Sequence, residues 1–350
     1  MPGENTTTFQ IEQLGDTTNG QPNNYMSIRL KNTSLAVASA IRRTILADVP
    51  TLAVDDVIIQ ENTSPIDDEI LALRLGLIPL ASGALADNMN RLKFTWDCDC
   101  SSGCEKCRYI FTVDQESNTL EPLSVTQDHF QSGDAGNSPD IDPKPFPVAP
   151  RVLRWREGVD CHEPAVSEGP IVITKLGKKQ RLKLTCYARK GTGKLHAKWI
   201  PASNIALRRV PVIKLNPETL TDVVRQCPEQ LEAYAELCPR DVFTCSIGEG
   251  IEVTDEAACI FCMNCLADLP DARLNNLVSV DMSTTEFILD IEGTGALTPD
   301  QMVQMAIRIM HEKTNAIKTD LLVRLGRQER HDSPDPDEMN DYGDGLDEAW

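Results

Sequence analysis

The sequence predicts a chain of mixed helices and strands carrying two cysteine-rich modules. Three observations predict this. Several short stretches alternate apolar with polar residues, as half-buried strands do. Two segments, one near each end, instead repeat apolar residues every three or four positions between clear start and stop signals. Ten of the twelve cysteines fall in two bunches, at 98–107 and 227–265.

The elements follow in order. Thr8 to Leu14 and Tyr25 to Leu30 read as strands. Leu35, Ala38, Ile41, Ile45 and Val49 then recur at helical spacing, with Thr33 or Ser34 as cap and Pro50 as stop. Leu52 to Gln60 (LAVDDVIIQ) is β-rich. Asp67 or Asp68 opens a shorter helix with Ile70, Leu73 and Leu77 on one face, ending before Pro79. Phe94 to Val113 reads as a hairpin whose loop holds the first cysteines, and Gln131 to Pro150, with its five prolines, as a loop.

Gly169 to Arg189 returns to β character, with Leu182, Leu184 and Cys186 pointing inward. DVFTCSI and IEV, joined by Gly-Glu-Gly, suit two strands, and FILDIE (287–292) another. Thr298-Pro-Asp-Gln301 is a capping box with proline at the first helical position. The helix it opens carries Met302, Met305, Ile309, Ile317, Leu321 and Leu325 as one apolar seam. That seam is buried either in the chain's own core or against another subunit.

Charge narrows the function classes. With 34 Lys+Arg and 53 Asp+Glu the net charge is −19. Residues 329–350 hold nine acids and one base, which leaves 33 bases against 44 acids, or −11, for the body. A surface of that sign repels phosphate, so autonomous nucleic-acid binding is disfavoured and a basic protein surface is a better partner. After Gly326 the apolar residues run out, and 327–350 reads as a disordered acidic tail. No apolar run is long enough to span a membrane, and MPGENTTTFQ has no signal-peptide pattern, so an intracellular chain with reduced thiols is expected.

Cys98, Cys100, Cys104 and Cys107 form C-x-C-x3-C-x2-C. Four thiolates within ten residues converge on one tetrahedral zinc if the chain reverses tightly, and Gly103 is placed to allow that. The loop DCDCSSGCEKC has no apolar side chains with which to order itself, so the ion supplies the order. Four filled positions leave no site for water: the zinc is structural. Cys259, Cys262 and Cys265 form C-x2-C-x2-C, the run that clasps three irons of a [4Fe–4S] cluster. Cys227, Cys238 and Cys245 are candidates for the fourth ligand, and Cys238 is favoured because Cys238-Pro239 reproduces the remote Cys-Pro pair of ferredoxin-like sequences. Zinc on the same thiols, or no metal, remain open readings.

No catalytic constellation emerges. Cys161-His162 lacks partners at ligand spacing, and His196 stands alone in KLHAKW. Asp55-Asp56 and Asp67-Asp68-Glu69 read as turn and helix-start acids. There is no GxGxxG, P-loop, HExxH or GxSxG motif.

Three segments, taken together, resemble one family. ASAIRRTILADVPTLAVDDVIIQENTSPIDDEILALRLGLIPL (38–80), LTCYARKGTGKLHAKWIPAS (184–203) and FILDIEGTGALTPDQMV (287–303) are similar, in order, to the α-type subunits of cellular RNA polymerases. These are the bacterial α, its archaeal counterpart and the third-largest subunit of eukaryotic RNA polymerase II. The resemblance covers residues 8–325. The zinc loop and Trp199 are like the RNA polymerase II type, and the intact second cysteine bunch is like the archaeal one.

The resemblance implies an α+β fold. A dimerisation domain would be built from 8–60 and 283–326, with a β-rich insert at 61–225 carrying zinc loop 98–107 and a ferredoxin-like subdomain at 226–270. It implies a non-catalytic assembly subunit of DNA-directed RNA polymerase, located in the nucleus. Its partners would be a small α-like subunit, the second-largest and largest subunits, and small zinc-binding polymerase subunits, with no direct nucleic-acid or membrane contact. The long seam (Met302, Met305, Ile309, Ile317, Leu321) would pack on the α-like partner, and Arg42 and Arg43 would face the large subunits. The alternatives are a ferredoxin-like electron carrier and the α-like subunit shared by polymerases I and III.

Overall fold

The two ends of the chain meet in one sheet. In the computed structural model, which describes residues 7–14, 24–87, 91–101, 103–132, 136–138, 141, 144–148, 152–154, 165–167, 170–226, 229–246, 250–267, 274 and 276–325, helices and antiparallel strands are mixed as an α+β fold requires. The first half runs β1 (Thr8–Leu14), β2 (Tyr25–Lys31), α1 (Leu35–Ala47), β3 (Pro50–Asn62), α2 (Asp68–Gly76), α3 (Gly83–Asp87), β4 (Arg108–Ser117), β5 (Leu123–Thr126) and β6 (Gln131–Ser132). The second runs β7 (Val152–Arg154), β8 (Ala165–Ser167), β9 (Val172–Leu176), β10 (Gln180–Thr192), β11 (Ala202–Leu215), α4 (Pro217–Gln226), α5 (Glu229–Ala235), β12 (Phe243–Ser246), β13 (Gly250–Val253), β14 (Val278–Gly293) and α6 (Pro299–Arg324). Residues up to Ala306 form one compact unit, and those from Ile307 onward a second.

The first sheet has the order β1-β2-β14-β11. Alternation decides its faces. Leu30 lies opposite Phe287, Ile28 opposite Leu289 and Met26 opposite Ile291, and all six are buried. Each such side chain contributes roughly 1.5–3 kcal/mol by leaving water. On the other face Ile288 is also buried, and polar side chains are tied: Asp290 accepts from Ser27 Oγ at 2.7 Å and pairs with Arg208 Nε at 2.7 Å, while Arg29 pairs with Glu286 at 2.8 Å. Helix α1 lies against β11 and β14. Ser34 caps it, its hydroxyl accepting from Val37 N–H, and Ala38, Ile41 and Ile45 are buried while Leu35 stays half exposed.

The second sheet has the order β3-β10-β4-β6. Leu182, Leu184 and Cys186 point inward as their alternation predicts, each at most 1% exposed, with Tyr109, Phe111 and Val113 on the neighbouring strand. The motif between β10 and β11 explains its glycines. A Cβ on Gly191 would lie inside the Trp199 indole, and one on Gly193 would collide with the Leu46 carbonyl at the end of α1. Trp199 is held in that gap by its indole N–H, which donates to Arg189 O at 3.1 Å.

Several expectations need correction. Ile70, Leu73 and Leu77 do not form the buried face of α2: they are 49%, 60% and 55% exposed, and Leu71 and Leu75 are buried instead. The helix is apolar on both sides, so periodicity alone does not choose, and the Arg74 guanidinium donating to Ile173 O at 2.8 Å fixes which side faces in. Phe94 to Val113 is not a hairpin: a single 3-10 turn (Thr95–Asp97) and the cysteine loop precede the lone strand β4. Asp55 and Asp56 sit within β3, not in a turn, where Lys198 Nζ (2.7 Å) and Arg189 neutralise them.

The sheets also cut across the expected divisions. β11 comes from the expected insert yet joins β14, and β3, assigned to the dimerisation segment, joins β10. β11 and β14 extend past a register shift at Arg209/Pro211 into the core of the second cysteine module, where Ile213 and Val278 pack with Val223 of α4. The expected acidic tail, Cys161-His162 and Cys227 lie outside the described residues.

Candidate metal centres and subunit interface

The first cysteine loop closes on itself. Gly103 adopts φ +89°, the left-handed turn that only glycine takes without strain, and brings Cys98 and Cys100 over Cys104 and Cys107. The Sγ–Sγ distances are 3.6 Å for Cys98–Cys104, 3.5 Å for Cys100–Cys107 and 3.9 Å for Cys104–Cys107. All four sulfurs lie within 4.8 Å of one another. Four thiolates about 2.3 Å from one ion define a tetrahedron with edges of about 3.8 Å. The backbone N–H of Cys104 donates to Cys107 Sγ at 3.3 Å, as amides near metal-bound thiolates do.

Two cations that sequence reading passed over hold this loop in place. Lys190 is 5% exposed, yet its Nζ donates to Leu92 O at 3.1 Å and lies 4.3 Å from the Phe94 ring centroid. Phe94 stacks in turn on Trp96 with centroids 4.5 Å apart. Arg108 follows the last cysteine, stacks 4.6 Å from the Tyr187 ring and lies against Gly103. The sequence signal was available: a lysine on an alternating strand, next to the inward Cys186 and Ala188, falls on the buried side.

Cys238, Cys259, Cys262 and Cys265 line one apolar cleft with Val242 and Phe243. The C-x2-C-x2-C segment reverses direction between cysteines through Phe261 (φ 56°) and Met263 (φ 62°), both in the left-handed region. Tyr234 O–H donates to Cys265 O at 2.8 Å and pins the last cysteine to α5. Burial pushes the Cys265 thiol above its ordinary range, and the negative potential of Cys259, Cys262 and Cys238 pushes it further. Yet no three of these sulfurs come within 4.8 Å of one another, unlike those of the first loop. Of the other candidate ligands, Cys245 stands on β12 and does not line the cleft.

The expected interface residues divide. Met302 and Met305 are fully buried in their own chain, so they are not available to a partner; Met302 packs against Gly293. Ile309 is 9% exposed, whereas Ile317 and Leu321 are 62% and 53% exposed, joined by Ile307, Val323 and Leu325. Arg42 is half-buried and donates from Nε to Ile205 O at 2.7 Å, so it ties α1 to β11 instead of facing outward; Arg43 is exposed. His196 accepts from Lys198 N–H at 3.0 Å and caps a single turn, a structural role.

Comparison with known proteins bears on the functional readings. Residues 27–314 match the model of the RNA polymerase Rpb3/Rpb11 dimerisation domain. The chain belongs to the RNA polymerase Rpb3/Rpb11 family. A Dictyostelium discoideum protein named DNA-directed RNA polymerase II subunit rpb3 is 32% identical over 292 residues, covering 83% of this chain and 88% of its own length. An Arabidopsis thaliana protein named DNA-directed RNA polymerases II, IV and V subunit 3 is 32% identical over 298 residues, 84% and 87% of the two chains. An archaeal relative from Methanosphaera stadtmanae, named DNA-directed RNA polymerase subunit Rpo3, is 29% identical over 283 residues, 80% and 88%.

The resemblance to the third-largest RNA polymerase II subunit is thereby borne out, and with it an assembly subunit of DNA-directed RNA polymerase. The electron-carrier and polymerase I/III readings are not favoured. The matched segment contains most of β2 and all of β14, the strands through which the two chain ends meet in the first sheet, and α6 as far as Thr314. Among the described residues no helix is long and apolar enough to cross a membrane.

Proposed function

We propose that this chain is a non-catalytic platform subunit of a nuclear RNA polymerase II. It pairs through the exposed C-terminal half of α6 with a small α-like subunit, and the pair receives the second-largest and then the largest subunit. Small zinc-binding subunits complete the partner set. The observation that carries this reading is the family match across both chain ends, together with the uncovered apolar stripe of Ile317 and Leu321, continued by Leu325, on a 26-residue helix. A helix face of that kind costs free energy in water and loses the cost when a partner covers it. The net charge of −19 fits a position away from nucleic acid.

Cys98, Cys100, Cys104 and Cys107 fit a structural zinc: the sulfur spacings match a tetrahedron, and the loop lacks an apolar core of its own. When bound, the ion supplies the order of the loop. Cys238, Cys259, Cys262 and Cys265 fit a [4Fe–4S] cluster better than a single ion. Their thiols surround an apolar cleft but stand too far apart to share one zinc, and a cluster holds each thiolate on a separate iron. When bound, the cluster acts as a clamp joining α5 to the cysteine loop.

The test is purification through a C-terminal tag from the native source, followed by mass spectrometry and metal analysis. Two very large subunits and a small α-like one are expected, with four irons per chain; the chain separated from its partners is expected to hold one zinc, since the small zinc-binding subunits carry their own. Isolation without polymerase subunits would overturn the platform reading. Nucleotide incorporation by the chain alone would overturn its non-catalytic role.

A further inference from the structure

Around the second cysteine cleft lies a surface that the platform reading leaves unused. Leu237, Ile260, Met263 and Leu266 are 39%, 58%, 41% and 44% exposed. They form one collar: Ile260 and Met263 line the cleft, Leu266 N–H donates to Met263 O at 3.0 Å, and Asn264 Nδ2 donates to Leu237 O at 3.4 Å. Cys262, at the centre of the loop, is exposed. Four large apolar side chains held outward by local hydrogen bonds around one cleft are a patch, not scattered surface.

The charge around it says what covers it. Residues 216–277 hold twelve acids and three bases, a net −9 in 62 residues and nearly half the net charge of the chain. Four exposed acids adjoin the collar and its cysteines: Glu236 precedes Leu237, Asp241 N–H donates to Cys238 O at 3.3 Å, and Glu256 O accepts from Cys259 N–H at 3.1 Å with Asp255 beside it. Arg240 lines the cleft and leaves the acids in large excess. Thiolates holding a cluster add negative charge. A second copy of the chain would bring the same −9 and be repelled, and a nucleic acid would be repelled more strongly. An apolar centre with an acidic rim fits a protein surface of opposite pattern.

We propose that the collar Leu237, Ile260, Met263 and Leu266 docks another subunit of the same polymerase through a surface that is apolar at its centre and Lys/Arg-rich at its rim. Docking covers Cys262 and so closes the mouth of the cysteine cleft. The proposal rests on the platform reading for the source of the partner, not for the chemistry of the surface.

The experiment compares the tagged full-length chain alone with the polymerase assembled on it. Hydrogen exchange of 236–238 and 260–267 and zero-length carbodiimide cross-linking are read in both. In the assembly, exchange is expected to slow at least tenfold, with cross-links from Glu236, Asp241 or Glu256 to lysines of one other subunit. The double variant Leu237→Ser, Leu266→Ser leaves the cleft-lining Ile260 and Met263 in place; it is expected to weaken retention of that subunit at least tenfold while the iron content and melting temperature of the chain alone are unchanged. Raising salt is expected to weaken it further. Assembly with unchanged exchange overturns this proposal and leaves the platform reading intact. Cross-links between two copies, or protection only when nucleic acid is added, also overturn it. Failure to copurify with any polymerase subunit overturns the platform reading instead.

Discussion

Gly193 shows how much a single residue constrains this chain. Its Cα passes so close to the Leu46 carbonyl that no methyl group fits. Gly193→Ala is expected to destabilise by roughly 3 kcal/mol or more, since backbone is what must move, and a denaturant titration measures it. Cys186 is constrained differently. Burial pushes its thiol up to about 12, whereas an unfolded cysteine ionises near 9. Folding therefore holds the proton: the Cys186 contribution to stability is constant below pH 9 and falls as pH rises from 9 towards 12. Cys186 is accordingly expected to resist alkylation at pH 8 in the native chain and to react on unfolding, which mass spectrometry reads out. Cys104→Ser removes one of four converging sulfurs, so it is expected to abolish stoichiometric zinc retention and to release the 98–107 loop to proteolysis.

At the scale of elements, α6 and α2 carry the informative disagreements. The seam of α6 reads as continuous in sequence, yet its N-terminal part is covered by the chain and its C-terminal part is not. Ile317→Ser with Leu321→Ser is therefore expected to leave the melting temperature of the chain alone within a degree or two. The same pair is expected to weaken its affinity for the α-like partner at least tenfold, as titration calorimetry would show. A matching loss of stability in the isolated chain would mean that these side chains belong to its own core. In α2 the helix was legible from Asp67 and Pro79, but its inward face was not. Leu71 and Leu75 compete with Ile70, Leu73 and Leu77 on nearly equal terms over nine residues. The cap of α1 was legible because a serine before an apolar repeat has few other uses, and Ser34→Ala is expected to cost about 1 kcal/mol.

For the whole molecule, the first sheet is the organising feature. β2 and β14 are separated by about 250 residues, yet they pair from Tyr25–Glu292 to Leu30–Phe287, so neither end folds usefully without the other. Loop closure over that distance is slow and exposes unpaired strand edges meanwhile. The second cysteine module rides on the far ends of β11 and β14, so loss of its clamp is transmitted into the same two strands. Cys262→Ser is expected to lower the yield of assembled polymerase more than its specific activity. Equal yield with impaired electron-transfer chemistry would instead return the redox reading to the front.

By itself the sequence determined what depends on near neighbours: the two cysteine spacings, the capping box at Thr298, the glycine turn at Gly103 and the alternation of β10. Those follow from covalent spacing and local backbone sterics. Tertiary structure decided which strands pair, that Lys190 and Arg42 are tied to their own chain, and which apolar side chains remain uncovered. Burial is a property of what stands opposite a residue, and in this chain that is mostly contributed by segments far away in sequence.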